Sequence, residues 1–146
     1  MTAPDPAAAA PPAPTKPARI AAVGAGRMGR GIAIAFAYAG HRVALVDLRR
    51  RDDAAWQRLR DEARAEIESS LRSLAALGAL RDSQVEAVAA RVDLVPEADA
   101  ARVLAAAELV FEGVPERLDA KREAFEQLGR LCADDAILTS TTSSIL

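Results

Sequence analysis

The sequence predicts an α/β domain built on a doubly wound parallel sheet. Three observations carry that prediction. Short, almost wholly apolar runs recur at 19–25, 42–48 and 108–114, as expected of strands buried on both faces. Between them lie longer segments whose apolar residues return every three or four positions, the period of an amphipathic helix. Strands that alternate with helices join by right-handed crossovers into a parallel sheet with helices on both faces.

Taken in order, RIAAVGA (19–25) is the first strand. Small and apolar residues fill a helix over 27–39, and Gly40 stands where a helix C-terminal glycine belongs. RVALVDL (42–48) is the second strand. A long helix fits 52–77, with Leu59, Ala63, Ile67, Leu71 and Leu74 on one stripe and Gly78 closing it. A shorter helix starts near Asp82, a weak strand follows at 91–95, and Pro96 opens a short helix through Leu104. ELVFEGV (108–114) is the fourth strand, 116–131 a helix, and AILTS (136–140) the fifth strand. This architecture usually has six strands, so the expectation is a sheet truncated before its last strand and before any partner domain.

The 146 residues suit one domain, and 51% apolar with 27% charged residues is a globular composition. A formal net charge of −2 argues against a nucleic-acid partner, which needs a basic excess. One cysteine, Cys132, and one histidine, His41, exclude an internal disulfide and multi-residue thiolate or histidine metal sites, so no metal is expected. Residues 1–18 hold six of the eight prolines and no large apolar side chain beyond Met1. Such a segment cannot offset its ordering entropy by burial, and it reads as a disordered Ala/Pro-rich tail ahead of a domain at 19–146. It lacks the features of a signal or transit peptide, and no run is long enough to span a membrane, which points to a cytoplasmic protein without a membrane partner.

At the junction of the first strand and first helix stands G-x-G-x-x-G, formed by Gly24, Gly26 and Gly29. The first glycine permits a tight turn, the second lets backbone approach a pyrophosphate, and the third allows helix to pack on strand. Free N–H groups at the helix start then bind phosphate. The intervening Ala25 and Arg27, with Met28, join the glycines as candidate cofactor contacts. Asp47 closes the second strand about twenty residues on, where a carboxylate can accept from both adenine-ribose hydroxyls and repel a 2′-phosphate. These features together predict a Rossmann-type dinucleotide-binding domain that takes NAD. Arg49, Arg50 and Arg51 follow directly; they are either a solvated face or a clamp for a 2′-phosphate.

GAGRMGRGIAIAFAYAGHRVALVD (24–47), VFEGVPERLDAKREAF (110–125) and ILTSTTSSIL (137–146) resemble the 3-hydroxyacyl-CoA dehydrogenase family, 3-hydroxybutyryl-CoA dehydrogenases included. Met28, Gly31, Ile32 and the Gly40–His41 pair stand in family positions. The resemblance implies an NAD-dependent oxidoreductase that interconverts 3-hydroxyacyl-CoA and 3-oxoacyl-CoA in fatty-acid or butanoate-type metabolism. It implies cofactor contacts from Glu116, Lys121 and Ser143, with Ser143 also touching substrate in a supporting catalytic role. Ser70 matches a serine that contacts coenzyme A, whereas Leu77 stands where some members carry lysine. Thr141 replaces an asparagine of many members and is a substrate-loop candidate with a different donor geometry.

The resemblance places the catalytic histidine and its glutamate partner beyond Leu146, and the homodimer contacts largely in a helical C-terminal domain. Residues 1–146 alone are therefore expected to be inactive. His41 is expected at the surface or in a helix cap, Cys132 in packing, and Trp56 partly buried. Two other readings stay open: a 3-hydroxyisobutyrate or carnitine type of 3-hydroxy acid dehydrogenase, and a non-catalytic dinucleotide-binding module.

Overall fold

The structure, a computed structural model, describes residues 9–12, 14–16 and 18–145. Its elements are β1 (Ile20–Val23), α1 (Arg27–Tyr38), β2 (Val43–Val46), α2 (Asp53–Ala76), a 3₁₀ turn (Asp82–Gln84), α3 (Val85–Ala89), β3 (Val92–Val95), α4 (Glu97–Ala105), β4 (Leu109–Glu112), α5 (Leu118–Leu131) and β5 (Ile137–Ser140). The strands pair in the order β3-β2-β1-β4-β5, all parallel. The chain winds outward from β1 through β2 to β3, then returns to the middle for β4 and β5. This is the expected Rossmann-type topology, with its switch point between β1 and β4.

Alternation along the strands splits the core in two. Ile20, Ala22, Val43, Leu45 and Val92 face Ala33 and Ala37 of α1, Ile67 and Leu71 of α2, and Val85 and Val88 of α3. Ala21, Val23, Val46, Val95 and Val110 face Ala100 and Leu104 of α4 and Leu128 of α5. Every residue of β1 is buried, which is why its sequence is an unbroken apolar run. β5 differs: Ile137 is 62% and Leu138 37% exposed, so this edge strand has apolar side chains uncovered on both faces.

Local chemistry ends the helices where the sequence reading placed their stops. Asp52 caps α2 by accepting from the Ala55 amide at 2.7 Å. Beyond α1, Gly40 takes φ +96°, its amide donates to Ala37 O, and the His41 amide donates to Phe36 O. That pair of bonds is a Schellman cap, and the His41 ring meets Phe36 edge-on at 6.0 Å. His41 thus serves the helix end. Gly78 repeats the device for α2, with φ +79° and bonds from Gly78 N to Ala75 O and Ala79 N to Leu74 O. The predicted stripe holds: Ala63, Ile67 and Leu71 are buried, flanked by half-buried Leu59 and Leu74.

Buried Arg30 ties α1 to α2 through Glu66 and, at 3.1 Å, Glu62. Cys132 lies half-buried against the second core cluster, and burial pushes its thiol pKa up. Trp56 is half-buried. Residues 1–8, 13 and 17 of the predicted tail lie outside the described residues. Within that tail Ala10 is 9% exposed, and its amide donates to Gln84 Oε1 at 3.1 Å. No described helix is long and apolar enough to cross a membrane.

Candidate functional site

Because all five strands are parallel, their carboxyl ends share one edge. That edge carries the glycine loop after β1, Asp47 after β2, Glu112 and Gly113 at the end of β4, and the Thr141–Ser144 loop after β5. Open α/β sheets bind ligands there, at the switch point.

Each glycine of the loop answers a different constraint. Gly24 has φ +100°, and an added Cβ would meet the Gly113 carbonyl carbon and oxygen at 3.1 Å, so both conformation and space select glycine. A Cβ on Gly29 would collide with the Gly24 carbonyl oxygen and stand 3.2 Å from Leu45 Cδ1. Gly26, the N-cap of α1, has nothing among the described residues within 4 Å of such an atom. The chain itself leaves Gly26 room for a side chain, so its glycine suits close approach by a bound group rather than packing. Gly113 completes the arrangement, since its own Cβ would press on Gly29 N at 3.2 Å, while its amide bonds Val23 O at 2.8 Å. Sequence reasoning missed Gly113, although two glycine-bearing strand ends side by side were the available signal. Ala25 is buried under the loop, whereas Arg27 and Met28 are exposed on the first turn of α1.

Asp47 is 5% exposed, with its amide tied to Val95 O at 3.0 Å. Arg51 Nε donates to its Oδ2, and the Arg49 amide approaches Oδ1 at 3.4 Å. Of the three arginines, Arg51 alone is engaged with Asp47 by its side chain; Arg49 and Arg50 are exposed. Adenine-ribose hydroxyls reaching Asp47 must share or displace that guanidinium.

The largest polar cluster lies across β4, α5 and β5. Glu112 is fully buried and Lys121 is 5% exposed. Lys121 Nζ donates to both Glu112 oxygens, at 3.1 and 3.0 Å, and stands 3.1 Å from Glu116 Oε2. Burial disfavours the ammonium, but the two carboxylates more than offset it and leave the Lys121 pKa raised. Glu116 Oε1 collects donors from the β5 loop: Thr142 Oγ1 at 2.7 Å, Ser144 Oγ at 2.9 Å, and the Ser143 and Ser144 amides at 3.2 Å each. The Thr142 hydroxyl above all, with Ser144 and Lys121, holds the Glu116 carboxyl down at about 2 despite partial desolvation.

A depressed carboxyl pKa stabilises the loop above the ordinary value near 4.5 and loses that effect as pH falls toward 2. A carboxyl NMR titration is therefore expected to show no Glu116 inflection between pH 7 and 4. A midpoint near 4.5 would mean that the loop is not held by Glu116.

The structure thus gathers Gly24, Gly26, Gly29, Asp47, Glu116, Lys121, Thr141 and Ser143 on one edge. Ser143 is exposed, and its hydroxyl makes no hydrogen bond among the described residues, whereas its amide is held by Glu116. Thr141 is half-buried, its amide bonded to Glu112 O at 3.0 Å. Ser70 is not part of this grouping. It is exposed on α2, about 25 Å along the axis from the first turn, and Leu77 at that helix end is 82% exposed. Cavities of about 370 and 350 Å³ lie elsewhere, one between Glu68, Arg72 and Asp82, the other along the amino edge by Ile20, Arg42 and Asp93. The candidate site is an open edge.

The profile of a family described as "3-hydroxyacyl-CoA dehydrogenase, NAD binding domain" matches residues 19–146. The chain is 38% identical over 126 residues to 3-hydroxyadipyl-CoA dehydrogenase of Escherichia coli K12, covering 86% of this chain and 24% of the relative. It is 31% identical over 128 residues to a probable 3-hydroxybutyryl-CoA dehydrogenase of Bacillus subtilis, covering 87% and 41%. Among solved structures, a 3-hydroxybutyryl-CoA dehydrogenase from Escherichia coli K12 superposes with a TM-score of 0.71 at 35% identity, over 89% of this chain and 25% of that one. The chain therefore spans between a quarter and about two-fifths of the relatives it matches. With a glycine loop open at Gly26, an acid closing β2 and this match over residues 19–146, the chain belongs to the 3-hydroxyacyl-CoA dehydrogenase family, as its NAD-binding domain.

Proposed function

We propose that this domain serves an enzyme that interconverts 3-hydroxyacyl-CoA and 3-oxoacyl-CoA, with NAD(H) carrying the hydride. The observation that carries the reading is the Glu116-bound loop. Glu116 fixes the backbone of Ser143 and leaves its hydroxyl unengaged at the carboxyl edge. A hydroxyl so held can donate to a substrate 3-oxygen as that atom gains negative charge. In this reading Gly24, Ala25, Gly26, Arg27, Met28 and Gly29 receive the pyrophosphate, and Asp47 the adenine ribose. Glu116 and Lys121 serve the nicotinamide-ribose end, and Thr141 and Ser143 border the substrate. Ser70, with no neighbour from the edge, is the weakest member of the proposed set, as a coenzyme A contact.

In this proposal the proton-transferring base lies outside residues 1–146, and a helical second domain makes the dimer. The single histidine here, His41, precedes β2 at the opposite, amino edge of the sheet. Residues 1–146 alone are expected to give no turnover with acetoacetyl-CoA and NADH, since a positioned general acid–base group contributes about 10²–10⁴-fold. In a polypeptide that includes the second domain, Ser143→Ala is expected to lower kcat about 10- to 100-fold with NADH affinity within a few-fold. Turnover by residues 1–146, or an unchanged kcat in Ser143→Ala, would overturn the respective assignment.

A further inference from the structure

The family resemblance directs attention to Glu116 and Lys121, but the residue at the centre of their network is Glu112. It is fully buried at the last position of β4, a site where an uncompensated carboxylate is costly. Each of its oxygens is occupied. Oε1 accepts from the Val114 amide at 2.7 Å and from Lys121 Nζ; Oε2 accepts from Lys121 Nζ and from Ser140 Oγ at 2.6 Å. Ser140 Oγ in turn accepts from the Thr142 amide at 3.1 Å. One carboxylate thus ties together the end of β4, the loop beyond it, α5, and the entry to the hydroxyl-rich loop after β5.

The charge arrangement explains why an acid stands here. Lys121 lies between two carboxylates, and Glu116 alone would leave its ammonium free to follow an exposed side chain. Glu112, on the rigid central sheet, gives that ammonium a fixed anchor. We propose that Glu112 is a positioning residue for the nicotinamide-ribose end of the cofactor site: it aims Lys121, and through Ser140 it sets the Thr142–Ser144 loop. The proposal rests on the reading of Lys121 as a cofactor contact.

Glu112→Gln keeps the shape and one acceptor but removes the charge, so it tests positioning with little change in packing. NADH binding is followed by nicotinamide fluorescence, AMP binding by calorimetry, and folding by thermal melting. Lys121→Met and Glu112→Gln are each expected to weaken NADH binding about tenfold. The double variant should be no weaker than either single one, because both changes remove the same contact. AMP affinity, which reads the Asp47 end, should stay within twofold in all three; a merely structural loss would lower it too. Ser140→Ala, on the exposed edge strand, should weaken NADH binding two- to threefold and serves if Glu112→Gln does not fold. A Lys121→Met chain with native NADH affinity would sink both the Lys121 assignment and this proposal. An effective Lys121→Met beside a silent Glu112→Gln, or strictly additive effects, would sink the proposal alone.

Discussion

Gly29→Ala is expected to destabilise the domain by about 3 kcal/mol or more, the upper range for forcing a methyl into a filled space. The added Cβ would overlap the Gly24 carbonyl oxygen and press on that residue's carbonyl carbon at 3.0 Å. Both are backbone atoms of the loop that Gly113 braces from the other side, so neither can rotate away. Against a total stability of about 5–15 kcal/mol, such a loss leaves a large unfolded fraction at moderate temperature. Two neighbouring glycines supply the contrast. Gly31→Ala, in a helix with open space around it, should raise stability by about 0.5–1 kcal/mol. Gly26→Ala should fold normally and lose most of its NADH affinity, because the new methyl enters only the space a bound pyrophosphate would use. Urea unfolding with parallel NADH titration separates the three. A Gly29→Ala chain as stable as the parent would mean that helix and strand are not packed at this distance.

Asp47→Ala is expected to weaken NADH binding by about 10- to 100-fold, which corresponds to losing hydrogen bonds to a charged acceptor worth about 1.5–3 kcal/mol. The unmutated chain should prefer NADH to NADPH. In Asp47→Ala the preference should narrow or invert, because two effects act together. The carboxylate that repels a 2′-phosphate is gone, and Arg51, bound to Asp47 in the native chain, is released beside the same position. Calorimetric titration of both nucleotides into both chains measures the outcome. Tighter NADPH binding by the unmutated chain would make the arginine run, rather than Asp47, the specificity element.

Much of the site was legible because its chemistry is local. Gly24, Gly26 and Gly29 share one turn, Asp47 ends the next strand, and an apolar run announces each of the central strands β1, β2 and β4. The Schellman caps at Gly40 and Gly78 were equally readable, since a left-handed residue after a helical pattern needs no distant partner. Glu112 was not legible in the same way. As an acid at the end of an otherwise apolar strand it was visible as an anomaly, but its partners Lys121 and Ser140 lie on different elements, and only the packing of α5 and the pairing of β5 with β4 bring them within 3.1 Å. The hold of Glu116 on residues 142–144 depends likewise on β4 and β5 being neighbours.

By itself, then, the sequence determined the order and type of the elements, the turn glycines and the acid that closes β2, because these follow from periodicity and from backbone conformations few residues can adopt. Tertiary structure alone decided which distant groups meet: that Gly113 fills the space behind Gly29, that Ser140 donates to the buried Glu112, and that Glu116 holds the loop after β5. Those contacts join residues far apart in the chain, and their energies exist only once the sheet has excluded water and set their distances.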